Sequence, residues 1–382
     1  MYLNGEKNGI GKIFYDNGNL YFEGIYFNEQ STGKEYYRNG KLLFEGEYLY
    51  EQKWSGKGYN INGNMEYEIN QGNGYIKEHY DNGKLKYEGV LTSGKICNGP
   101  VREYYRNGKL FFEGEYLYGQ KNGKGKEYYR NGKLFFEGEY LNGYKNGKGK
   151  EYYIYDSKLK FEGEYLNGKK WNGKGYNING NIDYEIKDGK GNIKEYYDNG
   201  NILFEGKYFN GEINGNGKKY YYNGKLQFEG EYLNGKKWNG KGYSIYGNID
   251  YEIKNGKGKI KEYYDNDKLK YKGEYLNGLV NGKVKYYYDN GKLKLDAEYL
   301  NGLLNGKGKE YYNNDILKYG GKCLNGLLNG YIKEYYDNGK FKYEGEYFNG
   351  QRFGKGKEYN LDGILIFEGE FPKTIRNGRK KA

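Results

Sequence analysis

Around Gly163 the chain alternates aromatic and charged positions, Phe161-Glu162-Gly163-Glu164-Tyr165. Such period-two alternation predicts a strand with one buried face. Residues 148–153 predict a second short strand. The Asn-Gly pairs at Asn107-Gly108, Asn131-Gly132 and Asn199-Gly200 predict hairpin turns, because both residues tolerate positive φ. The other connection, residues 141–147, is expected to be a longer Gly- and Asn-rich loop. No stretch holds apolar residues at helical spacing without a glycine interrupting it, and the 382 residues include 66 Gly but only 2 Pro. The pattern predicts an all-β fold: an elongated antiparallel meander of β-hairpins with no helical domain.

The alternation recurs in register. With the Gly of Phe-Glu-Gly as phase mark, copies fall at Gly24, Gly46, Gly89, Gly114, Gly138, Gly163, Gly206, Gly230, Gly273, Gly321, Gly345 and Gly369, commonly 24 or 25 residues apart. Ala297, Ile69, Ile186 and Ile253 occupy the slot in four further copies, giving sixteen marks. Gly46, Gly114, Gly138, Gly163, Gly206, Gly230, Gly345 and Gly369 are thus read as structural repeat glycines. A period of this length signals a solenoid, since one unit cannot bury its own apolar face. The expected organisation is one continuous array over residues 1–371 and a basic tail over 372–382. Sixteen two-strand units would form a twisted ribbon about 150 Å long. Composition agrees: 54 residues are Tyr, whose ring packs across strands while its hydroxyl reaches a polar partner, and 19% aromatic content argues against disorder.

The clearest copies read FEGEYLNG followed by NGKGKEYY. These residues resemble the MORN repeat, and tails such as EYYDNG before Asn201 and EHYDNGKLKYEG ending at Gly89 resemble the MORN variant of bacterial antitoxin-like proteins. The resemblance spans nearly the whole chain. It implies a hairpin array acting as a scaffold or tether at membrane–cytoskeleton contacts, a binder of acidic phospholipids, or a protein-interaction module. Where the family usually has Trp after FEGE, most copies here have Tyr, as at Tyr116, Tyr140, Tyr165 and Tyr232.

Catalytic inventory is thin. His79 is the one histidine and stands where other copies have Tyr, so it reads as a drifted strand or surface residue. Cys97 and Cys323 lie in distant units, which argues for free thiols over a disulfide or a metal knuckle. Glu113 and Glu115 recur in most units, as cross-strand partners of Lys do and a catalytic dyad does not. Gly123-Lys124-Gly125 and Gly147-Lys148-Gly149 lack the rest of a nucleotide-binding loop and read as devices for close strand approach or bulges. A non-enzymatic protein without cofactor or metal is expected.

Lys and Arg total 63 against 51 Asp and Glu, a net charge of +12, under one charge per unit. Most Lys alternates with Glu, as on a solvated sheet face. Interspersed Glu, few Arg and no recognition motif argue against nucleic acid; an acidic phospholipid surface remains open. The concentrated cluster is in the tail, where Arg376, Arg379, Lys380 and Lys381 are candidate anionic contacts. Trp54, Trp171 and Trp238 mark three variant units carrying the Ile slot. With Tyr116, Tyr140, Tyr165 and Tyr232 they form the candidate binding surface, although packing of each Trp over the loop of its own unit is the preferred account of the three tryptophans.

No leader pattern or membrane-spanning run occurs, so the expected location is cytoplasmic, peripheral membrane contact remaining open. The expected role is a scaffold that binds a protein partner and tethers it to an acidic membrane or the cytoskeleton. The alternatives are an antitoxin-like, toxin-neutralising binder and a phospholipid-binding peripheral protein. Sequence names neither partner nor oligomeric state.

Overall fold

In the strand Leu134–Leu141, Phe136 and Tyr140 point inward at 0% and 4% exposure while Glu137 and Glu139 point to the opposite face. The period-two expectation therefore holds at the level of single side chains. This computed structural model describes residues 2, 3, 6, 7, 9–15, 17–27 and 29–371, the side chains at 2, 3, 6, 7 and 95–97 excepted. Arg376, Arg379, Lys380 and Lys381 lie outside the described residues.

Every described element is a strand or a turn, and paired strands are antiparallel neighbours in sequence. The chain divides into two compact units, Met1–Gly191 and Asn192–Ala382. In the first, Tyr2–Leu3 pairs with Glu6–Lys7, a six-stranded meander runs from Gly9–Phe14 to Met65–Ile69, and a ten-stranded one runs from Gly74–His79 to Ile182–Ile186. In the second, a seventeen-stranded meander runs from Gly191–Tyr196 to Leu365–Phe371. The six- and ten-stranded sheets begin or end at two of the Ile-slot hairpins, where pairing shrinks to the bridges Asn70↔Asn73 and Lys187↔Lys190. At the third, Ile253 stays in continuous register with Gly258.

The two kinds of turn are exchanged relative to the sequence reading. Leu141 pairs directly with Tyr144, so Asn142 (φ 50°) and Gly143 (φ 84°) form a two-residue turn of type I′ within what reads as a longer loop. The extra residues of that segment form a bulge at Gly147 (φ 94°), after which Gly149 pairs with Gly138. The Asn131-Gly132 pair instead sits in a five-residue connection between Tyr128 and Leu134. That connection is closed by Tyr129 N–H to the Lys133 carbonyl and Gly132 N–H to the Tyr129 carbonyl, both at 2.8 Å.

Both long sides of each meander are stapled from hairpin to hairpin. On one side the turn glycine reaches back, Gly143 N–H to the Lys121 carbonyl at 2.9 Å and Gly168 N–H to that of Lys145 at 2.8 Å. On the other, the second Tyr of each Tyr-Tyr pair donates its hydroxyl to a carbonyl of the next hairpin. Examples are Tyr105 to Tyr128 (2.8 Å), Tyr129 to Tyr152 (2.9 Å) and, in the second unit, Tyr288 to Tyr311 (2.7 Å). Beside it the turn asparagine does likewise, Asn107 Nδ2 to the Arg130 carbonyl at 3.1 Å and Asn338 Nδ2 to that of Leu361 at 2.9 Å. A side-chain donor and a backbone acceptor are thus paired across each boundary.

The phase-mark glycines align across strands as one stripe. Gly114, Gly125, Gly138, Gly149, Gly163 and Gly173 pair successively, as do Gly206, Gly217, Gly230 and Gly240 in the second unit. Gly46 meets Gly33 and Gly56; Gly345 and Gly369 both meet Gly356. A Cβ on Gly138 would lie 2.6 Å from Gly149 Cα and 2.7 Å from Phe136 Cζ. The phenylalanine ring lies over the space that glycine leaves. One copy shows the compensation: Ala297 fills the slot where Leu295 replaces Phe.

Gly138→Ala is therefore expected to destabilise the protein by about 2 kcal/mol through overpacking. Adding Phe136→Leu should recover part of that loss in urea melts; a double variant no more stable than Gly138→Ala alone would overturn the ring–glycine account.

Candidate functional site

The stripe residues and aromatic rings point to one face, so the alternate residues project from the other. There they form two rims of charge along a floor of glycine backbone. In the first unit this trough encloses about 810 Å³, with Gly114, Gly125, Gly138 and Gly149 in its floor. Its rims alternate in sign across strands: Lys126 faces Glu137, Glu137 faces Lys150, and Lys148 faces Glu164. The glutamates are also fixed from the side, since Tyr128 donates to Glu113 and Tyr152 to Glu137, each at 2.6 Å. Glu137 is thus held between a tyrosine hydroxyl and Lys126 at 3.9 Å. Arg102 and four lysines line the trough against four glutamates, near balance.

In the second unit the equivalent trough encloses about 1060 Å³ and the balance is lost: eight lysines line it against three carboxylates, a net of +5. The rim glutamate has become Lys272 and Gly320 in two copies, and Lys322 replaces another. Lys272 consequently lies between Lys261 and Lys285, and Lys322 opposite Lys307. Lys261 is paired with Asp250 and Lys285 with Asp296, both at 3.1 Å. Lys259, Lys272, Lys283, Lys307, Lys309 and Lys322 are exposed and make no ion pair with a described residue. The floor here is Gly273, Gly308 and Gly321, interspersed with the downward-pointing Ile260, Val284 and Ala297. Exposed Tyr331 stands at one end.

Beneath the floor the interior is itself charged. Lys145 Nζ lies 3.9 Å from the Phe136 ring centre and 3.2 Å from Glu151, which also receives Lys170 at 3.4 Å. Burial alone would raise the Glu151 carboxyl, but Lys170 and Lys145 reverse this and hold it at about 2. The same arrangement recurs at Lys121–Glu127, at Lys53 between Glu35 and Glu78, and at Arg352 between Glu334 and Glu358. These pairs are a stacking device of cation, carboxylate and ring.

The sequence-predicted surface residues divide. Tyr140, Tyr165 and Tyr232 are core residues, 4%, 4% and 5% exposed, because the period-two count from Phe puts them on the ring face; they are not a binding surface. Tyr116 is half-buried and donates to Glu103 at 2.8 Å. The tryptophans are half-buried, and each lends its carbonyl to a turn glycine: Trp54 to Gly72, Trp171 to Gly189 and Trp238 to Gly256. The Trp238 ring also closes on Gly256, whose Cβ would lie 2.6 Å from it. His79 is a strand residue, its side chain 8% exposed, with Nε2 3.3 Å from Glu66. Burial pushes its imidazole below the usual range against the pull of Glu66 and Glu78. Cys323 is a buried free thiol, raised by that burial; the Cys97 side chain lies outside the described residues. Among the described residues no group of three or more His, Cys, Asp and Glu is placed to hold a metal.

The rim lysines at 272 and 322 escaped the sequence reading. Their signal was legible, as the copies YKGE and YGGK depart from FEGE, but it was averaged into the net charge.

Models of two known repeats match the chain. The MORN repeat variant matches residues 7–28, 30–50, 98–118, 190–210, 213–234, 257–277 and 280–301, and the MORN repeat matches 112–133, 136–154, 296–315 and 343–363. A comparison with curated proteins found no match. Among solved structures, the Tc holotoxin pore of Photorhabdus luminescens aligns at 12% identity over 96% of this chain and 24% of that chain, with a TM-score of 0.15. The TcdB2–TccC3 protein without its hypervariable C-terminal region aligns at 11% identity over 96% and 24%, also at 0.15. The chain spans about a quarter of the length of these structures, and scores this low carry no argument about fold or role.

Two outcomes follow. Glu151 falls from its ordinary 4.5 to about 2 on folding, so its contribution is complete above pH 4.5 and is lost as pH drops from there toward 2. That contribution is roughly 3 kcal/mol; Glu151→Gln should flatten the acid limb of stability against pH, and an unchanged limb would exclude it. Trp238→Ala should lower the melting temperature; unchanged melting would remove the packing role.

Proposed function

Because the chain belongs to the MORN-repeat family, we propose that it is a non-enzymatic scaffold that binds a protein partner along the open troughs of its repeat array. MORN repeats serve generally as membrane- or protein-interaction modules, and a scaffold role fits that range. The observation that carries the reading is the division of labour between the two faces. The ring face is filled by Phe, Tyr and paired Lys and Glu, as at Phe136 and Glu151. The other face is left as long, open troughs built from the same positions in repeat after repeat. Repetition of equivalent positions suits an extended ligand contacted many times weakly, whereas turnover needs one privileged constellation. A tether to an acidic membrane would use the same exposed cations, and a cytoplasmic location suits the free thiol of Cys323.

Lysine-directed cross-linking of the full chain in its native cell, followed by mass spectrometry, tests this. Cross-links from rim lysines such as Lys124, Lys148, Lys272 and Lys322 to one recurring protein are expected. Absence of any recurring protein, with retention on phosphatidylserine vesicles, would replace the protein scaffold by a lipid-binding role.

A further inference from the structure

We infer that the lysine-rich trough of the second unit binds an acidic, extended polypeptide segment, an assignment that rests on the scaffold reading above and gives its partner a chemistry. The chain supplies its own control. In the first unit the rim places Glu137 between Lys126 and Lys150, and Lys124 opposite Glu139, so each of these charges has a neighbour of opposite sign. In the second, Lys272 sits between Lys261 and Lys285, and Lys307 opposes Lys322. Like charges directly opposite on adjacent strands destabilise a sheet. Glutamate at 272 and 322, the residue other copies use, would relieve them. The hydroxyls follow suit: Tyr152 donates to Glu137, whereas Tyr287 and Tyr335 have Lys272 and Gly320 in place of that glutamate. Repulsion between rim lysines and loss of a hydroxyl acceptor are both relieved by an anion laid along the trough.

Shape selects among anions. The trough crosses seven strand rows from Lys257–Tyr263 to Gly330–Tyr335, roughly 30 Å at the usual strand spacing, about the span of nine extended residues. Its floor is flat backbone at Gly273, Gly308 and Gly321, and its cations stand in two rows, one on either side. An extended peptide presents successive side chains to opposite sides, so its carboxylates meet both rows while its backbone lies over the glycines. Single-stranded nucleic acid needs a series of stacking rings, and among the described residues that line the trough Tyr331 is the one aromatic. A lipid surface would engage cations on a protruding face, whereas these line a concavity. A second copy of this chain, at net charge +12, is the wrong sign.

The test is fluorescence anisotropy of a labelled twelve-residue poly-glutamate peptide with the full chain. Lys272→Glu/Lys322→Glu restores the ordinary repeat sequence, so it should fold with an unchanged or raised melting temperature. It should weaken peptide binding by about tenfold or more. Lys41→Glu/Lys84→Glu, at exposed positions of the first unit that line neither trough, makes the same change in charge and should leave binding within about twofold. Equal loss from both pairs, or no loss from the second-unit pair, would overturn the assignment, as would tighter binding of oligo-thymidine or phosphatidylserine vesicles of matched charge. A cross-linked native partner that still binds the Lys272→Glu/Lys322→Glu chain would refute the trough while leaving the scaffold reading intact. Peptide bound by the native chain and released by that variant, with no partner cross-linked, would do the reverse.

Discussion

Everything in the described structure is built around the close contact of two glycines under one aromatic ring. Where Gly138 meets Gly149, strand backbones approach with no side chain between them, and the Phe136 ring covers both. The contact fixes which residues alternate inward and which outward, because the stripe sets the phase of the strand. A shift by one residue would bury the rim charges and expose the rings. Where the stripe carries Val284, Ile260 or Ile332 the ring position is Tyr271 or Tyr343, and where it carries Ala297 the ring is replaced by Leu295.

The interior that results is narrow, and it is completed by charge. Lys145 and Glu151 are placed against Phe136 and Tyr165 in space that a thicker core would give to aliphatic residues. Such pairs offset their desolvation only with good geometry and several partners; Glu151 has two lysines. Segregating these ions beneath the floor leaves the rim charges free to differ from copy to copy. That freedom is what separates the near-balanced trough of the first unit from the cationic one of the second.

Strand, repeat and register were legible because period-two alternation and a fixed glycine spacing are local signals. Phe161 to Tyr165 alone contains the buried–exposed order. The turn types were not, since Asn142-Gly143 and Asn131-Gly132 are the same dipeptide and differ only in whether the flanking residues pair. Which tyrosines face outward required the count from Phe: Tyr140 falls on the ring face, whereas Tyr152 reaches the rim to hold Glu137. The staples from Tyr129 and Asn107 join residues 23 apart, a separation that has meaning only once the hairpins are stacked. The rim lysines were legible as departures from the repeat, but their opposition across strands depends on register.

The stapled turns also bear on self-association. In a meander whose strands run crosswise, the long borders of each sheet consist of turns, and turns such as that of Gly143 already donate to the preceding hairpin. Among the described residues, unpaired strand backbone, the template for edge-to-edge aggregation, is left at the first and last strand of a sheet. Inserting another hairpin of the glycine-stripe kind lengthens the sheet without adding such an edge. The aggregation hazard per molecule is therefore independent of repeat number, so that copy number can drift without a penalty in solubility.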